Sequence, residues 1–314
     1  MKCLIIDVVH AAISEELGKY MEVKTTAKLP LSQDELIAEI GDADVLIMRV
    51  DPKIDKAVLD AAKNLKVIGV CSVGLNHIDM EYAKSKGIQV FNAPGLNANA
   101  VAELTLSKML DISRDTMTAN NDVKVKHEWD KYKFVGRELR GKTLGVMGFG
   151  RIGRRVAELG RAFGMTIVAY DPFLKAEDFV KENATGMTTE ELLKVADFVS
   201  IHVPLTPETK NLISAESLSY MKNDAVVLNM SRGGIVNEAD MVAALKAHQI
   251  GGYAADVMEN ELAGSGLSGN DTFASPLFEC DNFIVSPHCG AQTVDASRDI
   301  GAHIITKVKE ALSL

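Results

Sequence analysis

The apolar positions of this chain fall into short runs separated by amphipathic stretches. The first runs are Lys2–Ile6, Asp44–Arg49, Lys66–Val70 and Ile88–Phe91, with helically spaced segments such as DELIAEIGDA and DKAVLDAAKNL between them. A second series starts with TLGVMG at Thr143 and continues through TIVAY (166–170), DFVSIH (197–202), DAVVLN (224–229), GGYAADV (251–257) and NFIVS (282–286). Strands alternating with helices predict parallel sheets, and the second series has the strand count of a complete dinucleotide-binding sheet.

Between the two series lies a helix-like stretch, ANAVAELTLSKMLDISRDTMTANN, and another runs from Val294 to the end. Both read as links between domains, with the tail packing back on the first one. The expected fold class is α/β, with two Rossmann-like or flavodoxin-like domains of parallel sheet. The inserted domain, 99–289, is a doubly wound sheet of six or more strands, and the outer domain is 1–98 plus 290–314.

A 314-residue chain with 47% hydrophobic residues is long enough to bury two cores. Its formal charge of −9 argues against nucleic-acid and anionic-membrane partners, because neither surface attracts an acidic chain. A small-molecule partner suits the balance better. Cys3, Cys71, Cys280 and Cys289 have no metal-ligand or disulfide-scaffold spacing, so they read as thiols in a reducing compartment, and no metal is expected. The apolar run in MKCLIIDVVH is too short for a signal peptide and no stretch reaches a membrane span, which makes the cytoplasm the expected location.

The segment GKTLGVMGFGRIGRRVAELGRAFGMTIVAYD places Gly148, Gly150 and Gly153 in a G-x-G-x-x-G arrangement after an apolar strand and at the head of a helix. Gly148 permits the tight turn, Gly150 lets backbone approach a pyrophosphate, and Gly153 allows close packing of helix on strand. The amides of Arg151 and Ile152 then face the phosphates at the positive end of the helix. Asp171, at the end of the next strand, can accept hydrogen bonds from an adenosine ribose and repel a 2′-phosphate, which favours NAD over NADP.

Three more polar residues fall just beyond strand ends: Arg232 in LNMSRGG, Glu261 in DVMENE and His288 in VSPHCGA. Oxidising a 2-hydroxy acid needs a base for the hydroxyl proton as hydride leaves C2, a task that suits histidine as a residue type, and His288 is the candidate. A buried carboxylate at Glu261 would orient that imidazole and favour its protonated form. Arg232, flanked by Gly233 and Gly234, offers a guanidinium fork for the substrate carboxylate. Taken singly, each has a structural reading as surface charge, acidic loop or core histidine.

At these residues the chain resembles the D-isomer-specific 2-hydroxyacid dehydrogenases along nearly its whole length. The resemblance rests on SVGLNHID (72–79), PGLNANAVAEL (94–104), GKTLGVMGFGRIG (141–153), HVPLTPET (202–209), NMSRGGIVNEADMVAAL (229–245), AADVMENE (254–261) and SPHCGAQT (286–293). It implies the carboxylate-binding arginine at Arg232, the orienting glutamate at Glu261 and the acid/base histidine at His288. It also implies NAD contacts from Val73, Gly148, Gly150, Arg151, Ile152, Gly153, Asp171, Val203, Pro204, Thr209, Met230, Ser231, Arg232, Asp256, His288, Gly290 and Ala291. His202 is implied to line the cofactor rather than to catalyse. Substrate contacts are implied at Arg49, Ser72, Val73, Gly74 and Asn97, together with Arg232 and His288.

The inserted domain is thus the expected NAD-binding domain and the outer one the substrate-binding domain, in an NAD-dependent oxidoreductase acting at C2 of a small D-2-hydroxy acid or 2-keto acid. The resemblance to D-3-phosphoglycerate dehydrogenases, with Arg49 near the substrate phosphate, keeps that activity as an alternative. Against it, Val70 stands where those enzymes usually carry a second arginine. A Gly/Ser-rich loop, 262–276, replaces the usual proline-containing turn after Glu261, is expected to be mobile, and leaves its substrate contacts unreadable.

A formate-type mechanism would need no proton acceptor and fits glutamine better than Glu261. An NAD-sensing, co-repressor-like regulatory protein is the alternative from another class, while a plain nucleotide-binding structural protein leaves Arg232, Glu261 and His288 unexplained. Relatives usually form homodimers through the cofactor domain. The AVAELTLSKML helix with Trp129 beyond it suits such a contact, and the same helix equally reads as core.

Overall fold

The strands that the apolar runs predict are present, and every strand pair is parallel. The computed structural model describes residues 1–27, 29, 31–261 and 273–314, which divide into one unit of 1–97 with 291–314 and another of 98–261 with 273–290. Most of the Gly/Ser-rich loop therefore lies outside the described residues.

The outer unit runs β1 (Lys2–Ile5), α1 (Ala12–Leu17), β2 (Glu22–Thr25), α2 (Gln33–Glu39), β3 (Val45–Met48), α3 (Lys56–Ala61), β4 (Val67–Val70), α4 (Met80–Ser85) and β5 (Gln89–Phe91). Its strand order is β2-β1-β3-β4-β5, with Cys3 opposite Val45 and Met48 opposite Val70. The strands VLIM and VIGV are buried along their whole length, as parallel strands covered on both faces must be. Ile13 and Leu17 of α1 pack on Ile5, Val45 and Ile47 together with Ile300, Ile304 and Val308 of the C-terminal helix, Val294–Leu312. The tail does return to the first sheet. Leu36, Val58, Leu59 and Ala83 cover the other face.

Local chemistry sets the helix starts. Ser32 and Glu35 form a reciprocal capping box on α2, Asp55 accepts the amides of Ala57 and Val58, and Thr293 caps the C-terminal helix through the amide of Ala296.

The inserted unit runs α5 (Ala98–Arg114), α6 (Thr116–Asn121), β6 (Thr143–Met147), α7 (Arg151–Ala162), β7 (Thr166–Tyr170), α8 (Ala176–Lys181), β8 (Thr185–Gly186), α9 (Thr189–Val195), β9 (Phe198–Ile201), α10 (Ala215–Ser219), β10 (Val226–Asn229), α11 (Glu238–Lys246), β11 (Gly252–Ala255) and β12 (Phe283–Val285). The order β8-β7-β6-β9-β10-β11-β12 reverses direction between β6 and β9, which is where a doubly wound sheet binds ligand.

The stretch expected as one helix through residue 121 is broken. Asp115 takes a left-handed φ of 48°, ending α5 and starting α6 in a new direction, and a short π-helical turn follows at Asp122–Lys126. Val101, Ala102, Leu106 and Met109 of α5 sit in the core with Leu144, Val146, Leu228 and Ala254, so the core reading of this helix is the one observed. The exposed apolar residues come later: Val125, Trp129, Tyr132 and Val135, with Trp129 86% exposed. No helix among the described residues is long and apolar enough to cross a membrane.

Candidate active site

The Gly-rich turn joins β6 to α7. Gly148 has φ +89°, and a methyl added there would lie 2.7 Å from the carbonyl carbon and oxygen of His202. A methyl at Gly153 would lie 2.1 Å from the carbonyl oxygen of Gly148, so helix and turn are in direct backbone contact. A methyl at Gly150 meets nothing within 4 Å. Gly150 caps the N-terminus of α7 without a side chain, leaving space in front of the positive helix end where a pyrophosphate fits.

Asp171 follows β7 and is braced against this turn. Its Oδ2 accepts the Phe149 amide at 2.9 Å and its Oδ1 accepts the Phe173 amide at 3.0 Å. Arg154 donates Nε to the Phe149 carbonyl at 3.0 Å and Nη1 to Glu182 at 2.7 Å, which holds the same turn from the helix side.

His202 follows β9. Its Nε2 lies 2.7 Å from the Ser200 hydroxyl, while its Nδ1 is buried without a partner. Burial pushes the imidazole down to about 3, so the ring stays neutral. An orphaned buried nitrogen beside the Gly148 turn is the kind of group a ligand satisfies. In the loop after β9, Thr209 donates to the Pro204 carbonyl at 2.6 Å and accepts the Thr206 amide at 2.8 Å, and the Ser231 hydroxyl donates to the Val203 carbonyl. Val203 and Met230 are buried beneath these contacts.

Arg232 is set by a residue the sequence reading missed. Asn229, the buried last residue of β10, donates Nδ2 to the Arg232 carbonyl at 2.9 Å and accepts the Ser231 amide at 3.1 Å. The guanidinium is exposed and donates to the Ser231 carbonyl at 2.7 Å, with no carboxylate paired to it among the described residues.

His288 and Glu261 meet, with Nδ1 3.0 Å from Glu261 Oε1. Glu261 is not the buried carboxylate that was expected: its side chain is 28% exposed and that of His288 49%. The turn that carries Glu261 lies beyond the end of β11, with Glu259 and Asn260 exposed beside it. A carboxylate at Nδ1 assigns the ring proton to that nitrogen and leaves Nε2 for chemistry.

His288 itself takes φ +50°, and its amide donates to the Asp256 carbonyl at 2.8 Å. The Asp256 side chain gathers the rest of the loop. Oδ1 accepts the Ser286 hydroxyl at 2.5 Å and the Cys289 amide at 3.0 Å, while Oδ2 accepts the Gly290 amide at 2.7 Å. Serine 286 and the amides are invisible as partners in the sequence, although the aspartate is not.

In the outer unit, Arg49 follows β3 and Ser72–Gly74 follow β4. The Arg49 amide donates to Asp7 Oδ2 at 3.1 Å and its Nη1 to Gln292 Oε1 at 2.9 Å. Ser72 donates its hydroxyl to the Arg49 carbonyl at 3.0 Å and, more weakly, to that of Gly74 at 3.3 Å. Asn92 donates to the Val73 carbonyl at 2.7 Å, and Asn97 has a buried, unpartnered Oδ1. Arg49 thus shares one hydrogen-bonded cluster with Ser72 and Gly74 within this unit. Ala291 falls in the outer unit, one residue past Gly290 in the inserted one.

Comparison with known proteins agrees with this arrangement. Residues 106–290 match the family model described as "D-isomer specific 2-hydroxyacid dehydrogenase, NAD binding domain". The chain is 40% identical to the D-3-phosphoglycerate dehydrogenase of Methanocaldococcus jannaschii, over 99% of this chain and 57% of that protein. It is 37% identical to the hydroxypyruvate reductase of Thermotoga maritima, over 90% of both. The solved D-lactate dehydrogenase of Aquifex aeolicus, complexed with NAD and lactic acid, superposes with a TM-score of 0.82 at 30% identity, covering 100% of this chain and 96% of that one. The chain spans little more than half the length of the phosphoglycerate dehydrogenases it matches. With the seven-stranded sheet, the Gly148–Gly153 turn and the His288–Glu261 contact, these matches establish that the chain belongs to the D-isomer specific 2-hydroxyacid dehydrogenase family and carries its NAD-binding domain.

Proposed function

We propose that the chain is an NAD-dependent dehydrogenase acting at C2 of a small D-2-hydroxy acid or its 2-keto acid. The observation that carries this reading is the 3.0 Å contact of His288 Nδ1 with Glu261, in the same unit as a Gly-rich turn that leaves room for a dinucleotide. NAD held at Gly148–Gly153 supplies or accepts the hydride. The residues of the chain do the rest. Asp171 accepts the ribose hydroxyls, and the amides of Arg151 and Ile152 meet the pyrophosphate. His202, Val203, Pro204, Thr209, Met230, Ser231, Asp256 and Gly290 line the remainder of the cofactor.

Arg232 binds the substrate carboxylate through its exposed guanidinium, which has no carboxylate partner among the described residues. His288 Nε2 takes the C2 hydroxyl proton in oxidation and returns it to the carbonyl oxygen in reduction, while Glu261 holds Nδ1–H and steadies the protonated ring. Arg49, Ser72, Val73, Gly74 and Asn97 serve the substrate in the outer, substrate-binding domain.

The narrower alternative is a D-3-phosphoglycerate dehydrogenase, the activity for which several relatives are named. Arg49 speaks for it and Val70 against. The exposed Trp129, Tyr132 and Val135 support a homodimer through the inserted domain, and family membership supports a cytoplasmic protein.

NADH oxidation by the purified chain with pyruvate, glyoxylate, hydroxypyruvate, 2-ketoglutarate, phenylpyruvate and 3-phosphohydroxypyruvate tests the reading. Turnover on unphosphorylated acids supports it, and turnover on the phosphorylated acid alone selects the alternative. Tight NADH binding with silence across the panel overturns the enzymatic reading.

A further inference from the structure

Glu261 must be held to act on His288, yet its own hydrogen bonds do little to hold it. Its amide donates to the Met258 carbonyl at 3.3 Å and its Oε2 accepts the Met258 amide at 3.4 Å, both at the weak end of the range. The turn from Met258 to Glu261 is fixed instead from outside, at two places.

The first is Gly233. A methyl there would lie 2.0 Å from the Met258 carbonyl oxygen and 2.8 Å from the Glu259 amide nitrogen, so the backbone after Arg232 rests directly on the peptide between residues 258 and 259. The second is a reciprocal pair of charged side chains. The Glu259 amide donates to Glu238 Oε1 at 2.7 Å, and the Glu238 amide donates to Glu259 Oε1 at 3.2 Å. Glu238 is the first residue of α11, so the Glu259 carboxylate also sits at the positive end of a helix. Like a capping box, the pair exchanges backbone donors, but it does so between a helix start and a separate turn.

Two carboxylates this close repel, and burial adds to the penalty on Glu238, whose carboxyl is pushed above its ordinary range by burial and by the Glu259 charge. A surface loop with no task would not need such an arrangement.

We infer that Glu238 and Glu259 are positioning residues, which clamp the 258–261 turn onto α11 and the Arg232 turn so that Glu261 meets Nδ1 of His288. The inference rests on the dehydrogenase reading, because it assigns Glu261 a task in proton transfer. Neither residue is among those assigned above to substrate or cofactor. Each acts through Glu261 alone.

The experiment is a double-mutant cycle with steady-state kinetics on the best 2-keto acid and NADH affinity measured by fluorescence. Glu238→Ala lowers kcat about tenfold through misplacement of the acid/base pair, with NADH affinity unchanged. Glu238→Gln stays close to the parent, since its amide oxygen still accepts the Glu259 amide. In a Glu261→Gln background, Glu238→Ala has no further effect on kcat, because the residue it serves is already gone. An unchanged kcat in Glu238→Ala, or an equal loss in both backgrounds, overturns the inference. Should Glu238→Ala fail to fold, Glu259→Ala, at an exposed position, must reproduce the cycle. If the parent turns over no 2-keto acid, the dehydrogenase reading fails by itself. The clamp is then read from the ring 15N resonances of His288, whose Nδ1–H signature must change in Glu238→Ala and not in Glu238→Gln.

Discussion

Asn229 donates its side-chain amide to the carbonyl of Arg232 at 2.9 Å, tying the backbone that carries this guanidinium to the buried end of β10. The same side chain accepts the Ser231 amide, so one residue satisfies both polar groups of the turn. Removing it leaves a part-buried donor and acceptor without this partner, a loss of about 0.5–1.5 kcal/mol for each hydrogen bond. Asn229→Ala is therefore expected to raise KM for the 2-keto acid about tenfold or more while NADH affinity changes little. Steady-state kinetics and NADH fluorescence check this, and an unchanged KM would remove Asn229 from the site.

Gly153 packs against the Gly148 carbonyl with no room for a methyl. Gly153→Ala must push α7 away from the turn or bend the turn itself, an overpacking penalty of roughly 1–3 kcal/mol. The expected result is a lower Tm and NADH binding weakened about tenfold, measured by calorimetry on the same sample. Gly150→Ala is the informative companion: its methyl meets open space in the protein, so Tm holds while NADH binding falls.

His202 makes a prediction about pH. Burial holds its folded-state value near 3, against about 6.5 in an unfolded chain. Between those values the unfolded chain binds a proton that the folded chain refuses, so stability falls as pH drops from about 6.5 towards 3, by at most about 1.4 kcal/mol per pH unit for this one group. His202→Gln removes that dependence. Urea unfolding of both proteins between pH 7 and pH 4 gives the difference, and parallel curves would contradict a buried neutral imidazole.

Asp171 is braced by two backbone amides just beyond β7, and the proposed function sets the adenosine ribose against its carboxylate. Asp171→Ala is expected to raise KM for NADH about tenfold and to narrow the preference over NADPH, since the repelling charge goes with the ribose acceptor. Competition between the two cofactors reads this directly.

Much of this was legible in the sequence, for identifiable reasons. The buried strands VLIM, VIGV and TLGVM announce themselves because parallel strands are apolar on both faces. One edge strand of each sheet is silent for the opposite reason: EVKT at Glu22–Thr25 is mostly exposed, and Thr185–Gly186 is two residues long, so only the backbone ladder defines them. The break at Asp115 escapes a periodicity reading because the apolar spacing does not register a single left-handed residue.

At the site, Asp171, Arg232, Glu261 and His288 carry their chemistry in their side chains and Gly148 in the lack of one, and all five could be picked out from motifs. Asn229, Glu238 and Glu259 act by holding backbone amides and carbonyls of residues distant in the chain or hidden in a turn, and Ser286 by donating to the Asp256 carboxylate. No spacing rule encodes that pairing. The exposure of Glu261 was misjudged because a carboxylate's burial depends on neighbours that its own motif does not contain.

The central claim is hydride delivery to C2 with His288 as the proton donor. Its most direct test is the product formed from a 2-keto acid and NADH deuterated at C4, analysed by mass spectrometry and chiral chromatography, for the parent chain and for His288→Ala. The account predicts the D-2-hydroxy acid with one deuterium at C2 from the parent, and turnover reduced about a hundredfold or more in His288→Ala with NADH affinity retained. An L-product, deuterium absent from C2, or full activity in His288→Ala would contradict it.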